Sequence, residues 1–576
     1  MTYNPYQLSR VIYDRSIQKN LPIVCFFYDS LCDSCKSFSK AVLSHPIIQE
    51  LLENDFIPIF LEVNCFPELW VRLIGDSDSY YHQVCSIDGI VFGNCKDSDT
   101  ELFLRNIVYY HENIATIQIE EKYGKKQYKP LIMDSENKFH QNIERISEIT
   151  LSSLLKSYDR MYGGWYDSHN PIKKHLSSSL EYLLLLYQRT RDNPLLQMII
   201  QTLDSSYGGL YDPKVGGFYE YSVSRDWITI GSYQKVLQTN VSIAQIYLHI
   251  FQITKDYRFR DILKKSLEFI TEQFWDESER LFAHSILENK SQSIKSDYFF
   301  TDSNCQALLL FLNSNLSLEE HRYIPKVQVV IKRIEEGITK FGTPHTLNEP
   351  KPDQFLLRDQ AAYFQLLLNV YALSGDISYL HKAEKMLEKI MSYYFDRQMN
   401  LFQDRLIREN DFGPFKQNIY SIQDNAIMIN NLVTHSHFLN NPTYKEIAMR
   451  CVTSYYQNFG ISRDSPFPSE FVIAAQRIIE SPIELLIIGN LEKKTDLIDR
   501  MLLEMKRIYD PFKIIQILDP NRDEALIEKR LPSIRMFNKP TCYVKVGDTI
   551  SPPTFFPKEI KLLLDTLLKA IKYTFE

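Results

Sequence analysis

The residues of this chain best suited to do chemistry are two cysteines three apart, Cys32 and Cys35. In Cys32-Asp-Ser-Cys35 the thiols fall one helical turn apart, the spacing of a dithiol that cycles between reduced and disulfide forms. The thiolate is the reacting species, so the surroundings that lower a thiol's pKa set its reactivity. At a helix N-terminus, unpaired backbone N–H groups and the helix dipole would favour the Cys32 thiolate. Cys32 is therefore the expected nucleophile, and Cys35 the thiol that resolves a mixed disulfide. Lys36 adds positive charge nearby, while Asp33 opposes thiolate formation. Two other uses of the pair stay open. One is zinc or iron–sulfur binding with two of Cys65, Cys85 and Cys95, whose spacing is not a usual ligand pattern. The other is a structural domain with inactive thiols.

The elements around the pair suit redox chemistry. Residues 21–29, LPIVCFFYD, form an apolar, β-branched and aromatic run of strand length, in which Cys25 is a core residue. The stretch that follows the dithiol spaces Phe38, Val42, Ile47, Ile48 and Leu51 on one helical face. A second strand follows at 56–63, FIPIFLEV. Strand, CxxC, helix and strand in that order open a thioredoxin fold. Its second half is expected within 119–139: a short helix, a cis Lys129–Pro130 bond, a strand at 131–134 and a polar turn at Ser135–Asn137. Pro130 would lie against the dithiol, present backbone to a substrate chain and keep metal away. Residues 70–118 read as a long insertion without assignment.

From about residue 150 the texture turns helical, as in Ser178–Tyr187, Val241–Thr254, Ile262–Phe274, Gln360–Leu373 and Leu380–Tyr394. One kind of aromatic turn recurs between these helices. Phe274-Trp275-Asp276 with Leu281-Phe282 and Tyr394-Phe395-Asp396 with Leu401-Phe402 share a spacing. Tyr207-Gly-Gly-Leu-Tyr211 and Val215-Gly-Gly-Phe-Tyr219 are variants of it. Helical hairpins that return through one turn predict an (α/α)6 toroid. Sugar chemistry there needs paired carboxylates, or a histidine with a carboxylate, across the cavity. The candidates are Glu220, Asp226, Asp359 and Asp424, with His284 as a base and Tyr211 and Trp227 as stacking platforms. The competing reading has Asp276 and Asp396 capping turns and the other acids holding loops.

A third texture begins near 482, where strands at Glu484–Gly489, Lys513–Leu518 and Cys542–Val546 alternate with helices near 493–507 and 557–573. No glycine-rich loop follows its first strand, so it is not read as a nucleotide site. Across all 576 residues, 44% are hydrophobic and 24% charged, ordinary for a globular protein. The net charge of −7 argues against nucleic-acid and anionic-membrane surfaces, which need a basic excess. The first residues carry no apolar core of a signal peptide, and no apolar run reaches the roughly 20 residues that span a bilayer. The expectation is a cytoplasmic protein. Six of its nine cysteines fall in the first 95 residues, which concentrates thiol chemistry there rather than in a disulfide framework.

Residues 26–63, from FFYDSLCDSC to FLEV, resemble the thioredoxin domain of the spermatogenesis-associated protein 20-like family, whose members carry Cys-His-Trp-Cys at this place. The block Tyr207–Trp227 is similar to that family's Gly-Gly and aromatic signature, and weaker similarity runs through Leu357–Ala361 and from Asp424. The resemblance implies a multidomain α+β chain. Its parts would be a thioredoxin-like α/β domain at 1–145, a glycosidase-like (α/α)6 toroid at 146–481 and a small α/β segment at 482–576 packed on the toroid. It departs from the family where His, Glu and Asp positions of the toroid appear as Ser232, Gln234 and Thr239. Two cysteines common near the family's C-terminus appear as Lys545 and Ile550. The expected activity is thus thiol–disulfide exchange with a protein disulfide substrate or a thiol reductant, without cofactor or metal, and with the toroid as a ligand- or partner-binding body. The alternatives are a sugar-processing glycosidase or 2-epimerase with a regulatory thioredoxin domain, and a non-catalytic scaffold.

Overall fold

The computed structural model describes residues 9–29, 31, 44–74, 83–87, 91–94, 100–113, 131–133, 135–166, 172–288, 293–318, 322–349, 354–409, 411–459, 467–491, 496–532, 534 and 537–575. The chain divides into two compact units. One comprises Met1–Tyr128 together with Gln403–Tyr420, the other Lys129–Phe402 and Ser421–Glu576.

The first unit is built on a four-stranded mixed sheet. Strand β1 (Ile23–Tyr28) runs parallel to β2 (Ile57–Glu62), pairing Ile23 with Ile57 through Tyr28 with Glu62. β3 (Gln83–Ser86) is antiparallel to β1, with Cys25 opposite Cys85, and β4 (Val91–Asn94) is antiparallel to β3. The order is β2-β1-β3-β4. Both faces are covered, which is why β1 reads as an unbroken apolar run. Val24 and Phe26 pack with Ile48 and Leu52 of α2 (Pro46–Asn54) and Phe103 and Ile107 of α4 (Thr100–Asn113). Ile23, Cys25 and Phe27 pack on the other face with Ile12 of α1 (Arg10–Lys19) and Leu69 and Leu73 of α3 (Pro67–Leu73). Cys25 is the core residue its place in the strand predicted.

Three expectations change here. Residues 70–118, left unassigned by sequence, carry β3, β4 and α4. Of the strand expected at 131–134, the described residues 131–133 are irregular, and Ser135 caps α5 (Glu136–Ser157) by accepting from the Lys138 N–H. The segment 403–420, placed in the toroid by sequence, belongs to the first unit. Its Asp404 takes a bidentate ion pair from buried Arg72 at 2.6 and 2.9 Å, and the Tyr13 ring packs at a tilt on Phe412, 5.2 Å between centroids. Cys32, Cys35, Lys129 and Pro130 lie outside the described residues.

In the second unit, described helices pair into six hairpins. The inner helices are α6 (Ser177–Thr190), α8 (Leu237–Thr254), α10 (Thr301–Leu318), α12 (Leu357–Ser374), α14 (Ile422–Leu439) and α16 (Ser469–Ile479). Each packs on the next, and α16 returns to α6, closing an (α/α)6 ring. The outer helices are α7 (Asn193–Leu210), α9 (Tyr257–Phe269), α11 (Ile324–Glu336), α13 (Ile377–Tyr393) and α15 (Pro442–Phe459), with α5 completing the last pair against α16. Inner helices such as α8 are buried on most faces, whereas outer ones such as α9 bury one stripe.

Two devices repeat around the ring. Four inner-to-outer connections put a left-handed residue after the inner helix: Arg191, Lys255, Gly375 and Asn440. In the outer-to-inner connections the acid of each aromatic turn accepts the next N–H groups, as Asp276 does from Ser278 and Glu279 and Asp396 from Gln398 and Met399. This is the turn-capping role that sequence offered as the alternative to catalysis. The aromatic residue of the turn is then clamped by an amide in the first turn of the next inner helix. Asn240 holds Phe218, Asn304 holds Phe282 and Asn425 holds Phe402, each through both N–H and C=O.

The C-terminal segment belongs to the same compact unit as the ring. β5 (Ile483–Ile488), α17 (Asp496–Lys506), β6 (Ile514–Leu518), α18 (Glu524–Arg530), β7 (Thr541–Val546), β8 (Thr549–Ile550) and α19 (Glu559–Phe575) follow one another. The order is β6-β5-β7-β8, with β5 parallel to β6 and antiparallel to β7. It repeats the order and strand senses of the N-terminal sheet. This sheet closes the C-terminal ends of the inner helices. Gln252 of α8 donates to the Lys506 carbonyl at 2.7 Å, and Gln516 of β6 donates to the Phe438 carbonyl of α14 at 3.2 Å.

Candidate functional site

The inner helices line a cavity of about 540 Å³ in which side-chain amides and hydroxyls alternate with apolar side chains. On α8 the polar residues lining it are Gln238, Ser242, Gln245, His249 and Gln252, a stripe at helical spacing, with Val241 and Leu248 beside them. Gln306 and Asn313 of α10, Gln365 and Asn369 of α12, and Asn430 and Thr434 of α14 complete the polar wall. Leu309, Leu368 and Ile427 intersperse apolar surface. The segment after α17 closes one end with Lys506, Tyr509, Asp510 and Lys513.

The ionisable pair on this wall is Glu181 of α6 with His249 of α8. His249 Nδ1 lies 2.6 and 2.8 Å from the two Glu181 oxygens, and its Nε2 faces the Gln245 amide nitrogen. A carboxylate only accepts, so Nδ1 carries the proton, and Nε2 accepts from the Gln245 amide. The Glu181 contact thereby fixes the orientation of the ring. The Tyr509 ring stands 5.0 Å from His249, centroid to centroid. Burial first, and the neighbouring Glu181 and Asp510 charges next, push the Tyr509 phenol well above its ordinary value, so it is a hydrogen-bond donor at neutral pH. Asp510, the other acid of the wall, is held by Arg189 at 2.7 Å.

A second cluster lies at the other end of the inner helices. Asp302 of α10, Asp359 of α12 and His345 place one ligand atom each within 4.8 Å of one another, all buried, an arrangement that could hold a metal ion. The groups also satisfy one another. His345 Nδ1 is 3.0 Å from an Asp359 oxygen, the Asp302 N–H donates to Asp359, and Asp302 accepts from the Ser303 N–H. Burial, partly offset by the His345 imidazole, pushes the Asp359 carboxyl up to about 6.

The acids and aromatics singled out by sequence do not converge on the cavity. Asp359 and Asp424 share one end of the ring, in the first turns of α12 and α14, with Arg358 3.9 Å from Asp424. Asp226 is exposed in the turn before α8, where it accepts from the Ser224 hydroxyl and the Ile228 N–H. Glu220 is half-buried beside the same turn. Trp227 is fully buried with a left-handed φ of 71°, its indole donating to the Tyr162 carbonyl. Gly164 and Gly209 are the small residues that let it in, since a Cβ on either would overlap it. Tyr211 stacks on Tyr207 at 4.5 Å and packs against Phe218. Trp227 is core, and Tyr211 is half-buried among these rings. His284, offered as a base, is also buried in its turn, against Phe300.

Sequence reasoning passed over Glu181, His249 and the amides of the cavity wall. The signal that could have found them is the polar stripe from Gln238 to Gln252, five polar residues three and four apart in a helix of core residues.

No family model matches the chain. It is weakly homologous to spermatogenesis-associated protein 20, the family whose resemblance the sequence carries. It is 22% identical to the human protein over 302 residues, 46% of this chain and 37% of that one. With the mouse protein it shares 23% over 296 residues, 47% and 37% of the two chains. The chain thus spans little more than a third of the length of the curated relatives it matches. Among solved structures, a D-mannose isomerase superposes with a TM-score of 0.50 at 13% identity, over 60% of this chain and 97% of that one. Cellobiose 2-epimerase from Spirochaeta thermophila gives 0.48 at 13%, over 60% and 98%. The α-helical unit therefore has the toroid fold found in a sugar isomerase. Among the described residues, no helix is long and apolar enough to cross a membrane.

Proposed function

We propose that the toroid binds a small polyhydroxylated ligand in its central cavity and moves a proton on it, as a sugar isomerase or epimerase does. The observation that carries this reading is the Glu181–His249 pair on an amide-lined wall. Side-chain amides both donate and accept, as sugar hydroxyls do, and the cavity is of the size small ligands occupy. Moving a proton from a carbon beside a carbonyl needs a base in a fixed tautomer and a donor for the carbonyl oxygen. His249 is that base once Gln245 turns aside, Glu181 stabilises the imidazolium, and Tyr509 is the donor. Glycoside hydrolysis would instead need two available carboxyls about 5 to 9.5 Å apart, and Asp510 is already engaged by Arg189. The shared fold with a D-mannose isomerase favours the same class of chemistry. Incubating the protein with aldoses and ketoses in D2O and following deuterium at the carbon beside the carbonyl by NMR tests this. We expect exchange in the wild type and at least a 100-fold loss in His249→Gln. Absence of exchange with every sugar, in a folded protein, would remove the reading.

A second reading concerns the N-terminal unit. We propose that it is a thioredoxin-like domain whose Cys32 and Cys35 exchange disulfides with a protein substrate or a thiol reductant, in a regulatory or independent role. The strand order β2-β1-β3-β4 with β3 antiparallel supports it. In that order the strand before the terminal hairpin is β3, and residues 75–82 ahead of it contain no proline, so Pro130 takes no part in this proposal. Counting alkylated thiols across glutathione buffers, in wild type and in Cys32→Ser, should show a two-electron transition between about −270 and −180 mV that the variant lacks.

A further inference from the structure

We propose that the end of the cavity closed by the C-terminal segment is a phosphate subsite, so that the toroid's ligand is a phosphorylated sugar. This rests on the sugar-binding reading of the cavity and adds the charge of the ligand. Three cations reach this end: Lys506 from the last turn of α17, Lys513 just before β6, and Arg477 from the last turn of α16. Lys506 is 8% exposed, and its ammonium donates to Asn313 Oδ1 at 2.7 Å. Lys513 donates to the Ile508 carbonyl. Arg477 donates to the Pro511 carbonyl at 3.2 Å, while its buried Nε finds no acceptor among the described residues.

Among the described residues, neither lysine has a carboxylate at ion-pair distance. The two acids of the wall are taken, Glu181 by His249 and Asp510 by Arg189, which also holds Glu480. The cations are fixed in place rather than swung in from solvent. Gln252 and Ser317 both donate to the Lys506 carbonyl, tying the end of α17 to α8 and α10. Burying the Lys506 ammonium without a counter-charge is costly, Asp510 only partly offsets the charges of half-buried Lys513 and Arg477, and a bound anion would supply what is missing. Burial alone lowers Lys506, and burial with the Lys506 charge lowers Lys513. A phosphate dianion, with three acceptor oxygens, answers two ammonium groups and a guanidinium better than a single carboxylate.

Calorimetric titration of the full chain with D-mannose, D-mannose 6-phosphate, D-glucuronate and inorganic phosphate tests the assignment. We expect the sugar phosphate to bind at least tenfold tighter than the neutral sugar. Lys506→Met and Lys513→Met should each lower the ratio of sugar-phosphate to neutral-sugar affinity to about one, and Lys513→Arg should restore the preference. Equal binding of mannose and its phosphate by the wild type would overturn the phosphate subsite and leave the sugar reading standing. Binding of neither would overturn both. Glucuronate or inorganic phosphate binding as tightly as the sugar phosphate would overturn the assignment of a phosphorylated sugar. Because methionine fills the lysine's space without its charge, the variants should melt no lower than the wild type.

Discussion

Replacing Lys506 by methionine should make this protein more stable at neutral pH. Burial brings the Lys506 ammonium from its ordinary 10.5 down to about 8. Between those values the unfolded chain holds the proton and the folded chain has shed it, so the unfolded state binds more protons and stability rises with pH. At 1.36 kcal/mol per tenfold, that gap corresponds to about 3 kcal/mol. The penalty is present in full below pH 8 and is gone above 10.5. Methionine has nearly the same length, keeps the backbone carbonyl contacts with Gln252 and Ser317, gives up the hydrogen bond to Asn313, and has no charge to desolvate. Urea unfolding of both proteins at pH 7, 8, 9 and 10.5 isolates this group, because every titration they share cancels in the difference. The variant should be more stable by about 2–3 kcal/mol at pH 7, with the difference closing toward zero at pH 10.5. Adding phosphate at pH 7 should narrow it by stabilising the wild type alone. A variant less stable at pH 7, or a difference that ignores pH, would refute the idea of an uncompensated buried lysine and weaken the phosphate subsite with it.

Three further outcomes follow from the same physical arguments. Asn425→Ala removes the amide that holds the Phe402 N–H and C=O and the Ser421 carbonyl, and should lower stability by about 2–4 kcal/mol in urea melts of the helical unit. Asp404→Ala leaves the Arg72 guanidinium buried without its carboxylate, so hydrogen exchange in β1 and α3 should report about 3–5 kcal/mol lost from the first unit. Asp359→Asn removes a carboxyl that burial pushes up to about 6 and keeps an acceptor for His345, so it should melt no lower than the wild type at pH 7 and leave deuterium exchange on sugars within threefold; loss of exchange in a folded variant would return Asp359 to the catalytic set.

Much of the fold was legible because its signals are local. Helical spacing, the aromatic turns and the acids that cap them recur within windows of ten to twenty residues, and the strands at 23–28, 57–62, 483–488, 514–518 and 541–546 all lie where apolar runs stand. What was not legible depends on residues far apart in sequence. Arg72 meets Asp404 across 332 positions, and nothing near either announces that 403–420 leaves the ring to join the first unit. The strand expected after Pro130 looked apolar enough, but Ser135 five residues on offered a helix cap, and the helix it starts is the outer partner that α16 requires. The candidate acids were chosen by type and by proximity to aromatic turns. In the folded chain Asp226 bonds within its own turn and Trp227 fills the space that Gly164 and Gly209 leave.

The cavity escaped notice for a related reason. On a helix taken alone, Gln245 and His249 are two polar residues among apolar ones, and only the closure of six helices decides that their side points inward rather than to solvent. Closure also sets what the site can bind. A ring of parallel inner helices is open at both ends, and whatever covers an end contributes its side chains to the ligand's surroundings. Here the end of α17 and the loop to β6 bring Lys506, Tyr509 and Lys513 to a wall otherwise rich in amides and apolar side chains. The amides suit hydroxyl groups of many sugars about equally, so discrimination by charge falls to that loop. Exchanging the loop's two lysines should therefore change which ligand is chosen, whereas exchanging His249 should change what happens to it once bound.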